Sequence, residues 1–347
     1  MLYFVIGLPG RFTEWCDAAT AEIARHALGP TELIRADTLE EISLGMIRTG
    51  ASRAVVASRQ PGGRLRSGLV GSGRTFLVVV EDPRTALVEA VQRQRNDVAA
   101  AAQMVASSCA GITHYVSSPG ALALFRDRDG GNPVITAKAI ARHLALTISE
   151  AAIVEIVRDL AAAGLTLEPS DAAARWGGFG AEEQRVVGGA LDPFVTYLAT
   201  GTLPPIFWER ELFFLGDRPK ERATGSIDVT GRARCLLQGP HIMLPPGSWS
   251  LSLKLLFSRE ATEHDFLVEV VADREIACSI IRPQAEGAFD LDLAFAIEAT
   301  TDHPITIRLS NQRAAFDGTV RLVGAVLATD GAALAETGSA VVAAAHG

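Results

Sequence analysis

Phe4-Val-Ile-Gly-Leu-Pro-Gly-Arg-Phe-Thr-Glu-Trp15 and Phe76-Leu-Val-Val-Val-Glu-Asp-Pro-Arg-Thr-Ala-Leu-Val-Glu-Ala90 decide how the first half of this chain folds. Each is an apolar run of strand length, then a turn, then a segment with helical spacing. A continuous apolar run reads as a strand covered on both faces, as in a parallel sheet. A strand–turn–helix corner is where such a sheet holds an anionic ligand, because the N–H groups of the helix's first turn have no partner within the helix. A ligand with several phosphates also needs cations at that corner. Here the two corners carry Gly10 and Glu81.

Strand and helix alternate outward from these corners. Thr13 to Leu28 has apolar residues at helical spacing (Trp15, Ala18, Ala19, Ile23, Ala27) and stops at Gly29-Pro30. Glu32 to Ala36 and Arg53 to Ser58 read as strands, and Asp37 or Thr38 caps a helix running to Ile47. Gln60 to Arg74 reads as a Gly-rich loop carrying Arg64, Arg66 and Arg74. Asn96–Ser117, Thr136–Leu146 and Ser149–Ala163 read as helices. The alternation predicts an α/β domain with a parallel sheet over residues 1–165. Residues 166–222, with the helix Glu182–Leu198 and the aromatic run Leu203 to Phe214, read as a connector. From about residue 223 the apolar period becomes two, and short strands split by turn clusters predict an antiparallel β-sandwich to residue 330. Residues 331–347, rich in Ala and Gly, are expected to be a disordered tail.

Composition narrows the function. A net charge of −8 gives no global attraction for nucleic acid or an anionic membrane. Cys16, Cys109, Cys235 and Cys278 are scattered without a CxxC pair, so neither structural zinc nor a disulfide framework is expected, and a reducing, cytoplasmic setting fits. No signal peptide is read at Met1-Leu-Tyr-Phe-Val-Ile, and no apolar run approaches the ~20 residues that span a bilayer.

The first 165 residues resemble the sulfotransferase family, a branch of the P-loop nucleotide-binding folds. The likeness rests on the Gly-Leu-Pro turn before Thr13 and Trp15, on Asp82-Pro83-Arg84 before a helix, and on the segment Thr136 to Glu150. The resemblance implies binding of 3′-phosphoadenosine 5′-phosphosulfate (PAPS) at the two corners, through Pro9, Gly10, Arg11, Thr13 and Arg84. It also marks departures. The family's lysine falls on Gly10, its serine on Arg11, its loop glycine on Phe12 and its second threonine on Glu14. Its 3′-phosphate contacts fall on Glu81 and Glu89. Carboxylates there repel the ligand: two unit charges ~4 Å apart interact by about 4 kcal/mol near a protein surface. Arg11, or Arg64, Arg66 and Arg74, are the cations that offset this in an alternative reading. Glu14 is the candidate base. His26, His114 and His143 read as structural, and no metal-ligand cluster is present in the sequence.

Residues 205–328 resemble β-sandwich modules attached to bacterial glycosyltransferases and surface-polysaccharide proteins, on the run Gly239-Pro-His-Ile-Met-Leu-Pro-Pro-Gly-Ser-Trp249. The resemblance implies a carbohydrate site using Trp208, Asp228, Arg232, Arg234, His241 and Trp249. The same Trp residues also fit a core role, and Arg232 and Arg234, placed on one face of a strand, also fit pairing with Glu209 and Glu211. Three functions follow. The first is a non-catalytic, cofactor-free sulfotransferase-like protein that binds a glycan or a polysaccharide-assembly partner. The second is an active PAPS-dependent sulfotransferase acting on a glycan or lipid. The third is a protein–protein scaffold. Nucleic acid and membrane insertion are not expected.

Overall fold

The computed structural model describes residues 1–94, 97–116, 118–167, 172–298, 301 and 303–329, so the expected tail lies outside the described residues. The chain divides into two compact units. The first comprises Met1–Asn96 with Ser108–Phe179; the second comprises Asp97–Ser107 with the chain from Gly180 onward. Among the described residues no helix is long and apolar enough to cross a membrane.

The first unit runs β1 (Leu2–Gly7), α1 (Arg11–Leu28), β2 (Glu32–Arg35), α2 (Leu39–Thr49), β3 (Ala54–Ser58), α3 (Gly63–Gly71), β4 (Phe76–Val80), α4 (Pro83–Gln94), α5 (Val98–Val116, its start counted with the second unit), β5 (Ala121–Phe125), α6 (Arg126–Asp129), α7 (Pro133–His143), α8 (Glu150–Ala162) and α9 (Ala172–Trp176). The strands form one parallel sheet in the order β2-β3-β1-β4-β5. β1, β3 and β4 are almost wholly buried, as their unbroken apolar runs require. The chain leaves β1 toward β3 and returns to β4 on its other side, so β1 is the switch point where such sheets form their crevice. Phe12, Trp15, Ala19 and Ile23 of α1 pack with Ile140 of α7 and with Ile153, Ile156 and Leu160 of α8 in one apolar core.

Local chemistry fixes the ends. Thr38 caps α2 in a capping box with Glu41. Asn132 caps α7 ahead of Pro133, and Ser149 caps α8. Asp37 instead ties down the end of β3, accepting from Ser58 Oγ (2.6 Å), Arg59 N (2.8 Å) and Gln60 N (2.8 Å). Two elements differ from the sequence reading. The stretch read as a Gly-rich loop contains α3, because Leu65 and Leu69, four residues apart, bury one helical face. β5 was not read as a strand; its Ala-Leu-Ala-Leu-Phe run is short, yet it completes the sheet beside β4.

The second unit contains α10 (Ala181–Thr200), β6 (Ile206–Glu209), β7 (Phe214–Leu215), β8 (Ile227–Asp228), β9 (Arg234–Ile242), β10 (Gly247–Phe257), β11 (Phe266–Val271), β12 (Glu275–Ile281), β13 (Gly287–Ile297), β14 (Ile305–Asn311) and β15 (Thr319–Thr329). One antiparallel sheet runs β13-β10-β15-β6, with β8 also on β15; the other runs β12-β11-β14-β9-β7. Alternate residues point inward, and Phe257 of one sheet meets Phe266 of the other with ring centroids 4.9 Å apart. The aromatic run read as a connector supplies β6 and β7, and α10 packs on β6. Gly189 permits that approach, since a Cβ there would lie 2.8 Å from the Phe207 carbonyl oxygen.

Trp208 and Trp249 are both core residues, 0% and 1% exposed. Trp249 Nε1 donates to the Pro245 carbonyl (3.0 Å), whereas Trp208 Nε1 has no acceptor among the described residues. Replacing either by Phe removes similar volume, but only Trp249→Phe also strips an acceptor of its donor. Chemical denaturation should show Trp249→Phe losing about 1 kcal/mol more than Trp208→Phe; equal losses contradict this account of the core.

Candidate functional site

β1 and β4 pair in parallel with Gly7 opposite Val79. The residues that leave their carboxyl ends therefore emerge side by side, and Leu8 N continues the pairing to Val79 O (3.2 Å). The chain beyond β1 is Pro9, Gly10 and the first turn of α1; beyond β4 it is Glu81. The two corners that look separate in sequence are thus one place. Phe12 N donates to Glu81 Oε2 (3.2 Å), so a carboxylate of the chain itself occupies the N-terminus of α1. Gly10 has no side chain because none fits: a Cβ would lie 2.9 Å from both Cγ and Oε2 of Glu81. The next helix is served likewise, with Asp82 accepting from Thr85 N (2.8 Å) at the start of α4.

The surroundings of Glu81 are closed and charge-balanced. Glu81 is 3% exposed and Glu89 7%. Arg11 lies 3.8 Å from Glu89, and the Arg126 guanidinium sits over the Phe12 ring, 5.7 Å from its centroid. Two guanidiniums therefore face two carboxylates. Burial pushes Glu81 up to about 7; the Phe12 N–H and the Arg126 charge pull it down, and Glu89 pushes it further up. The space left among Arg11, Phe12, Glu81, Thr85, Glu89 and Arg126 is about 10 Å³, room for a single water at most. The phosphate groups of PAPS do not fit this corner unless Glu81 leaves it. A larger cleft of about 290 Å³ opens nearby, lined by Trp15, Gly130, Pro133, Val157, Ala161 and Leu167.

The remaining first-unit candidates fall as follows. Pro9, Gly10, Arg11 and Thr13 are gathered at the corner; Thr13 is fully buried and its hydroxyl has no hydrogen-bond partner among the described residues. Arg84 lies over the Trp176 ring, 5.6 Å from its centroid. Glu14 lies in the first turn of α1, its N–H bonded to Gly10 O (3.0 Å). His143 Nε2 is 3.1 Å from the carbonyls of Phe76 and Gly120, a structural tie. A second buried acid was missed in sequence: Asp17 on α1 pairs with Arg59, and burial raises it to about 6 despite that cation. Among the described residues no group of three or more His, Cys, Asp or Glu is placed to hold a metal.

In the sandwich, Trp208 and Trp249 have no exposed face for a sugar ring, which corrects their expected role as stacking platforms. Arg232 and Arg234 do not share a strand face, because β9 begins at Arg234 and Arg232 lies in the exposed turn before it. Arg234 donates to the carbonyls of Thr230 and Asp228 (both 2.7 Å) and so braces that turn, while Asp228 Oδ1 accepts from Thr230 N (2.8 Å). Glu209 and Glu211 pair with Arg185, and Glu211 also with Arg210, in place of the expected pairing with Arg232 and Arg234. His241 is the exception: it is exposed and takes a left-handed backbone, φ 62°.

Neither a family model nor a curated protein matches this chain. Solved structures do. The N-terminal part is similar to the mouse sulfotransferase SULT7A1, solved in complex with PAP: 11% identity, TM-score 0.42, over 58% of this chain and 84% of that one. The C-terminal part is similar to the module TmCBM61, solved with β-1,4-galactotriose (13% identity, TM-score 0.24, 30% of this chain and 70% of that one). It is also similar to the xylan-binding module CBM15 (10% identity, TM-score 0.26, 31% of this chain and 79% of that one).

The raised Glu81 has a measurable consequence. It titrates near 7 in the folded chain against 4.5 as its ordinary value, so the fold favours the protonated form. Stability therefore falls as pH rises from about 4.5 to about 7 and is level beyond, and Asp17 adds a fall in the same direction from 3.8 to about 6. Glu81→Gln keeps an acceptor for the Phe12 N–H and does not ionise. Denaturation at pH 5 and pH 8 should show the variant losing roughly 2.5 kcal/mol less than the parent between the two. An unchanged pH dependence would mean that Glu81 is not buried at this corner.

Proposed function

We propose that this chain is a non-catalytic protein: a sulfotransferase-like scaffold whose donor corner is filled by its own carboxylate, carrying a sandwich that binds a glycan. Its setting on this reading is bacterial surface-polysaccharide biosynthesis, with a polysaccharide-assembly protein as the further class of partner. The observation that carries the reading is the Glu81 carboxylate on the Phe12 N–H. An incoming phosphate would have to displace it, repel it and also part Arg11 from Glu89. Each unit-charge repulsion at ~4 Å is worth about 4 kcal/mol near a surface, and each 1.4 kcal/mol is tenfold in affinity.

One observation favours a second reading, an active PAPS-dependent sulfotransferase acting on a glycan or lipid. The 290 Å³ cleft lined by Trp15 lies beside the corner, since Leu167 borders both spaces. It offers an apolar recess for a nucleoside once Glu81 swings out. Titration calorimetry decides between the two. 3′-Phosphoadenosine 5′-phosphate added to the whole chain at pH 8, where Glu81 is ionised, should give no heat up to about 1 mM. A micromolar Kd sinks the non-catalytic reading.

A further inference from the structure

The outer face of the second sheet carries a row of hydrogen-bonding side chains in lateral register. Phe214 of β7 lies opposite Gln238 of β9, Gln238 opposite Arg308 of β14, Arg308 opposite Glu269 of β11, and Glu269 opposite Cys278 of β12. Their strand neighbours Leu237, Ile307, Leu309, Val268 and Val270 are buried, so the row points outward. Gln238, Arg308 and Glu269 are half-buried, and among the described residues none of the three makes a side-chain hydrogen bond or ion pair. The next row, Cys235, Ser310, Leu267 and Ile280, adds an apolar shelf, with Ile280 65% exposed.

The other flank is built by a bulge. Ile305 pairs with Ile242 but Thr306 pairs with Pro240, so His241 is the extra residue. Its left-handed backbone turns the ring back over the sheet, where Nδ1 meets Thr306 Oγ1 at 2.8 Å and the ring centroid lies 6.1 Å from that of Phe214. The left-handed conformation, which histidine adopts more readily than most residues, is what the bulge requires of the extra residue. Partial burial and the Arg308 charge hold His241 below the usual imidazole range.

We infer that this face is a saccharide-binding site for an uncharged oligosaccharide, gripped by Arg308, Gln238, Glu269 and His241. The inference rests on the glycan reading of the sandwich and assigns it a place. The occupant follows from charge complementarity. Arg308 is opposed by Glu269, with Glu275 on the adjacent strand, so the face has no net positive field for an acidic ligand. It offers donors and acceptors interleaved, which is what vicinal hydroxyls satisfy, beside an apolar shelf for the C–H face of a sugar.

The test is a calorimetric titration of the whole chain with gluco-, xylo-, galacto- and manno-oligosaccharides, and with uronate-containing and sulfated oligosaccharides. It is run on the parent and on Arg308→Ala, Gln238→Ala and Lys254→Ala, the last an exposed position on the other sheet. Circular dichroism checks folding, and Gln238→Ala stands in if Arg308→Ala does not fold. Binding of a neutral oligosaccharide, weakened at least tenfold by Arg308→Ala and by Gln238→Ala but not by Lys254→Ala, is expected. Parent binding that neither sheet-face variant weakens overturns the placement while leaving the glycan reading intact. Preference for the acidic or sulfated probes overturns the uncharged class. No binding by the parent to any probe overturns the glycan reading itself, and this inference with it.

Discussion

The parallel pairing of β1 with β4 is the constraint on which the first unit turns. It brings residues 69 positions apart, Phe12 and Glu81, to one point beyond the carboxyl edge of the sheet. A helix start at that point presents N–H groups that the helix cannot use, and something must accept from them. An anionic ligand is one solution; a side-chain carboxylate is another. Here the second is taken at both adjacent helices, by Glu81 at α1 and by Asp82 at α4. The same geometry that makes such a corner receptive to phosphate makes it self-sufficient once an acid follows β4.

Burying that acid works against itself. Desolvation favours the neutral form, which is why Glu81 is raised to about 7. An N–H at a helix start and a guanidinium on Arg126 favour the ionised form, but desolvation outweighs them. Asp17 meets the same opposition, with Arg59 as its cation. Acids held this way are poor stabilisers in their charged state. What Glu81 does supply is an acceptor for the Phe12 N–H, which the helix itself cannot satisfy.

Much of this was legible in the chain. The apolar runs at Leu2–Gly7 and Phe76–Val80, the Thr38 and Ser149 caps and the period-two strands after residue 247 all match what local pattern dictates, because each rests on neighbours within a few residues. The misses share a cause. α3 was hidden because its glycines outweigh Leu65 and Leu69 in a local count, and β5 because a five-residue run gains strand character only by pairing with β4. β6 and β7 were hidden for the same reason, since they are edge strands defined by β15 and β9. At the candidate site the acidic replacements could be read, but not that Glu81 answers Gly10 and Phe12; that depends on sheet order. Residue type alone suggests Trp208 and Trp249 for a ligand, and only the sheet faces show that both point inward.

The two units differ in where hydrogen-bonding capacity is used. At the carboxyl edge of the first, Asp37, Glu81 and Asp82 all accept from the chain's own backbone. In the sandwich, the turn before β9 is equally self-contained: Asn311, buried, accepts from Arg234 N at 2.7 Å and donates to the Arg313 carbonyl at 3.0 Å, and Arg234 closes the turn. The outer sheet face is the contrast. Charged and amide groups on a flat sheet commonly find cross-strand partners, and opposite charges directly across from each other attract. Arg308 and Glu269 stand in that relation and do not close into an ion pair. Half-buried groups lose part of their hydration without replacing it, which is unfavourable for an isolated fold. That unmatched row contrasts with the corner beyond β1 and β4, where each of these acceptors already meets a donor of the chain itself.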